Sequence, residues 1–171
     1  MVSFQIYIQN LFLKKLSNTR MWVWIALMVV MLILFLIIYR NHNEPPMLTE
    51  IKQKYWAVLD MLRQTGDPTW KGVLRPSIIT GMIDWTKNKG PIGSNVNKGY
   101  EIYICLDGND VNSAMYVLIH ELAHMSVPEY DHTSRFWENF EKLKKLCIDN
   151  GFYTTAGTRM YCGDVVKDEG H

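Results

Sequence analysis

Three histidines and a glutamate stand close together in "HELAHMSVPEYDHTSRFW", residues 120 to 137. His120 and His124 are four residues apart, so on a helix they lie about 40° from each other on one face. Two imidazoles placed one turn apart can both reach a single ion, at about 2.1 Å for zinc. Glu121 falls about 100° round from His120, near enough to hold a water on that ion without being a ligand. A tetrahedral catalytic zinc takes three protein ligands and keeps one position open. His132 is the natural third ligand, because a seven-residue link can fold back to bring it opposite the other two. Glu129 and Asp131 are the rivals, and Asp131 has the further options of capping the next helix or supporting a histidine from behind. His42 and His171 fall in a linker and a tail and are read as bystanders.

An ordinary amphipathic helix is the competing explanation. Met115, Leu118, Ile119, Leu122 and Met125 form an apolar back, and only Ala123 and Tyr116 share the histidine face. Two histidines and a glutamate on so small a polar face favour a metal site. The chemistry expected is hydrolysis of a peptide bond: one Zn²⁺ per chain would activate a water, with Glu121 as the general base that carries the proton to the leaving nitrogen. Tyr116, Tyr130 and Arg135 are candidate donors to the oxyanion, with Tyr153 and Tyr161 behind them.

The elements that must position these groups can be read around them. Asn112 is a natural N-cap for a helix running to Met125. Before it, "YEIYICL" alternates Ile102, Ile104 and Leu106 with Tyr103 and Cys105 and predicts a strand, which could pair with an extended substrate. "GVLRPSIITGMIDW" is β-like, and "NKGPIGSNVNKG" reads as loop. Leu48, Ile51, Tyr55, Val58, Leu59 and Leu62 recur at helical spacing, and "TGDP" at 65 to 68 ends that helix. A last amphipathic helix is expected from about Thr133 to Asn150, stopped by Gly151, with Lys142, Lys144 and Lys145 on its solvated face. The tail beyond it is expected to add one strand. Trp56, Trp70, Trp85, Phe140 and Phe152 are assigned to the core. Few strands and several helices make an α+β domain with a small antiparallel sheet.

The chain has 171 residues and a formal net charge of +1, which gives no support for a nucleic-acid-binding surface. Cys105, Cys147 and Cys162 are too few and scattered for a disulfide framework. They are read as buried residues or idle thiols, with a Cys147–Cys162 bridge as the one pairing considered. Residues 21 to 39, "MWVWIALMVVMLILFLIIY", carry no charge. A helix of that length rises about 28 Å, the hydrocarbon thickness of a bilayer. "IIYRNHNEPP" offers no signal-peptidase site, so the run is expected to stay as a single-span anchor. Lys14, Lys15 and Arg20 precede it and Arg40 alone follows closely, which places the amino terminus in the cytoplasm and the domain outside or lumenal. The divisions expected are a tail over 1–20, with a candidate amphipathic helix at 4–16, the span over 21–39, a linker over 40–46 and one domain over 47–171.

"HELAH" followed by "HTSRFW" resembles the WLM family of zinc metallopeptidases, relatives of the SprT-like zincins. "GSNVNKGYEIYICL", 93 to 106, is similar to the family's G-x-N-x-N-x-G stretch and following strand, and "WKGVL", 70 to 74, to its opening W-x-x-x-L. The likeness spans roughly 67 to 147. It implies a minimal gluzincin-type, zincin-like domain, zinc on His120, His124 and His132, and Glu121 as catalytic base, with Phe136 and Trp137 at the family's aromatic positions. The chain departs from the pattern between its second and third histidines. The family has about five residues there with a glycine, and this chain has seven, "MSVPEYD", with none. The resemblance implies a protein or peptide as substrate. The rival expectations are a non-catalytic membrane or virion assembly protein that keeps the zinc, and a repair protease acting on DNA–protein crosslinks, which the net charge and the anchor disfavour. The source membrane, whether of a cell or a virion, and the oligomeric state are left open.

Overall fold

The computed structural model describes residues 20–39, 44–84, 90–155 and 157–168. The sequence-stretch at 4–16, the flanking charges other than Arg20, Trp85, His42 and His171 lie outside the described residues. The chain divides into two compact units, residues 1–44 and 45–171. In the first, helix α1, Arg20–Tyr39, has a mean hydropathy of 3.0 and no buried residue, and is long and apolar enough to cross a membrane.

The second unit is α+β. Helix α2, Pro46–Thr65, begins with proline at its first turn, where the missing N–H costs nothing. It buries Leu48, Ile51, Tyr55, Val58, Leu59 and Leu62, and ends at Gly66 in the left-handed conformation. Trp56, one position on from Tyr55, points away from that stripe and is exposed, against the expectation of a core role. Trp70, in a short 3₁₀ turn over Pro68–Lys71, is completely buried.

Strands β1, Ile78–Met82, β2, Gly93–Val96, and β3, Glu101–Cys105, make one sheet in the order β1-β3-β2. The sheet is mixed, not antiparallel: β1 runs parallel to β3 and β2 antiparallel to it. The chain reverses twice between β1 and β3, so those two end up pointing the same way. β2 lies in the stretch read as loop. None of its four residues is buried, so it carries no alternation to read, and it forms because β3 offers an open edge. β3 therefore has both edges occupied and cannot take a substrate strand. Among the described residues the edge beside the histidines belongs to β2.

Helix α3, Val111–Met125, is buried nearly all round, between the sheet, α2 and α4. Its cap is Asp110, not Asn112: the carboxylate accepts from the backbone N–H of Asn112 at 3.0 Å and Ser113 at 3.3 Å. A carboxylate at this end also meets the positive pole of the helix. Asn112 instead pairs its side-chain amide with the backbone of Thr154. Helix α4, Ser134–Asp149, is capped by Thr133 and buries Phe136, Phe140, Leu143, Lys144 and Cys147. Lys144 corrects the solvated-face reading. Its ammonium is buried between Glu141 at 2.8 Å and the carboxylate of Asp168 at 3.3 Å.

The tail adds two strands rather than one, the hairpin β4, Thr158–Tyr161, and β5, Asp164–Lys167. Cys162 and Gly163 form its turn, both with positive φ, as the twist of a two-residue hairpin requires. Cys162 is bonded to Cys105, 57 residues away at the end of β3. The bridge anchors the hairpin to the sheet; it replaces the Cys147–Cys162 pairing and the idle-thiol reading of Cys105 and Cys162, while the reading of Cys147 as a buried thiol stands. Cys147 is the buried free thiol on α4, with its pKa pushed up to about 12 by burial. Sequence spacing could not find this pair, because only the docking of the hairpin brings the two sulfurs together.

Candidate metal centre

His120 and His124 sit on consecutive turns of α3, and the link after Met125 returns His132 to them just before α4. One ring nitrogen from each of the three lies within 4.8 Å of the others. The Nε2 atoms of His120 and His132 are 3.0 Å apart. Two ligands of one tetrahedral zinc stand about 3.4 Å apart for bonds near 2.1 Å, so these nitrogens fit around one ion. Glu129 and Asp131 are not part of this cluster. The aromatic pair on the first turn of α4 holds the rings. Phe136 packs on His124 with centroids 4.4 Å apart and on His132 at 4.6 Å, while Trp137 stacks on His132 at 5.3 Å.

Burial sets the protonation of the cluster. Desolvation, followed by the charges of His132 and Lys98, lowers the pKa of His124 to about 4, which keeps its imidazole neutral and able to ligate at pH 7. Glu121 lies in the same cleft with its carboxyl buried, and desolvation raises its pKa to about 7. That value suits a group that must both accept and return a proton near neutrality.

The "SNVNKG" stretch, whose role spacing alone did not show, braces this helix. The side chain of Asn95 donates to the carbonyl oxygen of Glu121 at 2.8 Å and accepts from the N–H of Gly99 at 2.6 Å. Lys98 donates to the carbonyls of His124 at 3.3 Å and Val127 at 3.2 Å, and to that of Glu129. It thus satisfies one of the orphan carbonyls at the end of α3, that of His124, and ties down the link that carries His132. Gly99, with φ of 98°, passes so close to Met125 that a Cβ would sit 2.2 Å from the methyl of that side chain.

The candidate oxyanion donors separate. The Tyr116 hydroxyl donates to the carbonyl of Lys167 at 2.7 Å. Tyr153 is bonded to Asp168 and Tyr161 to the carbonyl of Cys105, both buried. Arg135 is exposed on α4 and lines neither cavity of the cleft. Tyr130 is exposed and borders the cavity over the histidines, with the Lys98 ammonium 4.2 Å from its ring centre.

A sequence model of the WLM domain matches residues 82–169, from the end of β1 through the metal-type helix to the hairpin, just over half of the chain. The chain belongs to the WLM family. That family is one of zinc metallopeptidase-like domains. Two viral proteins are similar to this WLM chain. "Uncharacterized protein R325" of Acanthamoeba polyphaga mimivirus is 40% identical over 84 residues, 43% of this chain and 43% of that protein. "Uncharacterized protein 136R" of Invertebrate iridescent virus 6 is 27% identical over 128 residues, 69% of this chain and 62% of that protein. The WLM chain thus spans less than two thirds of either relative. No solved structure matches it.

Proposed function

We propose that this WLM protein is a membrane-anchored zinc peptidase of zincin-like fold, its domain spanning 47–171 and its ion held by His120, His124 and His132. The observation that carries the reading is the placing of buried Glu121 in one cleft with the three converging imidazoles. When bound, zinc supplies Lewis-acid polarisation of a carbonyl and lowers the pKa of water towards neutrality. The chain's own residues do the rest. Glu121 takes a proton from the attacking water and delivers it to the leaving nitrogen. Asn95 and Lys98 hold the helix backbone behind Glu121 and His124. An extended substrate adds to the edge of β2 that is unpaired among the described residues, and Tyr130 is the favoured donor to the developing oxyanion, since the hydroxyls of Tyr116, Tyr153 and Tyr161 are already bonded within the fold.

Helix α1 serves as the anchor, with the preceding basic residues keeping the amino terminus cytoplasmic and the domain lumenal or external. The viral relatives favour a virion membrane or the host membrane that supplies it. The test is hydrolysis of an unfolded protein by the zinc-loaded chain in detergent, beside Glu121→Gln. Zinc retained with hydrolysis abolished in the variant is the expected result, and equal hydrolysis by both overturns the reading.

A further inference from the structure

We infer that two copies of this chain pair along β1, joining their sheets edge to edge about a two-fold axis. The inference goes beyond the peptidase reading and rests on one part of it, the anchor. The strand order β1-β3-β2 leaves β1 at the edge remote from the histidines, unpaired on its outer side among the described residues. Its hydrogen bonds to β3 show which groups that edge offers. The N–H of Ile78 donates to the carbonyl of Tyr100 at 3.1 Å, and the carbonyl of Met82 accepts from the N–H of Leu106 at 2.9 Å. The even-numbered residues of β1 thus direct their main chain at β3, and Ile79 and Gly81 turn N–H and C=O outward. Natural edges of this kind are guarded by lysine, proline or a bulge. The stretch "IITGMI", 78 to 83, holds no charge and no proline, and its register on β3 runs without a bulge. Ile78 and Ile83, at its two ends, are 50% and 66% exposed.

A second copy is the occupant that fits. In a parallel ladder the outward-facing residues of one strand lie opposite the inward-facing residues of the other, so two identical edges must slip by one residue and cannot close as a two-fold pair. An antiparallel ladder sets outward-facing residues opposite one another, Gly81 on Gly81 or Ile79 on Gly81, and closes. Charge favours the same direction. Arg75 stands exposed before the strand and Asp84 exposed after it. Antiparallel pairing brings the Arg75 end of each copy to the Asp84 end of the other, whereas a parallel slip sets like charge beside like. The exposed side chains of Ile78 and Ile83 lose water contact in the process. A ladder of five residues is small for a dimer of free molecules, and anchors that hold both copies in one membrane raise their effective concentration. The joined sheet has β2 at both outer edges, about 24 Å apart at about 4.8 Å per strand, so pairing leaves both histidine clefts uncovered.

The test places the full chain, labelled at its amino terminus with a donor or an acceptor fluorophore, in vesicles of neutral lipid over a range of chain densities. Flotation with the vesicles reports the anchor, and energy transfer between labels reports the pair. Transfer well above that of randomly placed chains is expected. Ile78→Lys and Ile83→Lys, each present twice in the pair, are expected to raise the density needed for half-maximal transfer by about tenfold or more. Arg75→Glu should raise it too, by less, as an exposed charge does. All three positions are exposed, so the thermal midpoint should stay at the wild-type value in each variant. Met160→Lys, at a position on the hairpin as exposed as Ile83, should leave transfer unchanged. Chains that float but show no excess transfer overturn the pair and leave the anchor. Transfer untouched by both edge lysines, as pairing through α1 would give, overturns it, as does transfer lost equally in Met160→Lys or strengthened by Arg75→Glu. Chains that do not float overturn the anchor and with it the pair.

Discussion

The side-chain amide of Asn95, on the edge strand β2, donates to the main-chain carbonyl of Glu121, in the middle of α3, at 2.8 Å. A main-chain carbonyl inside a helix ordinarily has its own partner four residues on, so this second bond fixes the helix against the strand. The two sides of the cleft, the substrate edge and the acid, are thereby held in one register. Asn95→Ala is expected to lower kcat by about tenfold or more with little change in zinc content, since positioning of the acid and substrate is lost while the imidazoles remain. Loss of zinc in step with activity would show that Asn95 merely supports the fold.

Lys98 acts on the ligand loop. Its ammonium bonds the carbonyl of His124, at the end of α3, and those of Val127 and Glu129, in the link that returns His132. Lys98→Met keeps the stem and removes the donors. Zinc affinity, measured by competition with a chromophoric chelator, is expected to fall about 10- to 100-fold, the size seen when outer partners of metal ligands are removed.

Removal of His132 should act more strongly than removal of the nearby acids. The purified chain is expected to carry about one zinc, as a three-histidine site with an open position requires. His132→Ala should lose most of it, while Glu129→Gln and Asp131→Asn keep it. Metal analysis of the four proteins decides, and zinc retained by His132→Ala would move the third ligand elsewhere.

The buried carboxyl of Glu121 makes the metal-free protein sensitive to pH. Desolvation raises its pKa from 4.5 to about 7, so the folded state holds the proton through a range where the unfolded chain has lost it. Stability from this group is therefore full below about pH 4.5 and declines as pH rises to about 7, by about 3 kcal/mol at most. Urea unfolding at pH 5 and pH 8 should show Glu121→Gln gaining on the wild type at the higher pH. His124, whose folded pKa is depressed, shifts both proteins in the opposite sense, so the difference between them is the readout. A constant difference at both pH values would contradict the burial of Glu121.

The Cys105–Cys162 bond closes a separation of 57 residues. In the chain-entropy account such a loop stabilises by about 4 kcal/mol. Cys162→Ser is expected to lower the thermal midpoint, and reductant should lower the wild type to a similar value. Cys147→Ser, at the buried free thiol, should show no such sensitivity to reductant beyond that of the wild type.

Much of this protein was legible in short stretches of its sequence because local periodicity carries it. The apolar run needs no partner to declare its length, and α1 covers Arg20–Tyr39. The stripe on α2 repeats every three to four residues, and the residues read from it are those the helix buries. The four-residue spacing of His120 and His124 is itself a statement about one helix face. Gly66 and Gly151, both with positive φ, end their helices where glycine made an end cheap.

What depends on partners distant in the chain could not be read in the same way. β2 has no buried side and exists through hydrogen bonds to β3. Asn95 and Lys98 look like loop residues until the turn they occupy meets the end of α3. Lys144 reads as one of three surface lysines until Asp168 is folded over it. Cys105 and Cys162 become neighbours only when the hairpin docks. The sequence by itself determined the helices, the membrane-length segment and the histidine and glutamate facing one way, because each is set by residues within a few turns of one another. Only the tertiary structure decided the order of the strands, the edges left open, the return of His132 and the docking of the hairpin, because each is a contact whose two halves carry no local mark of the other.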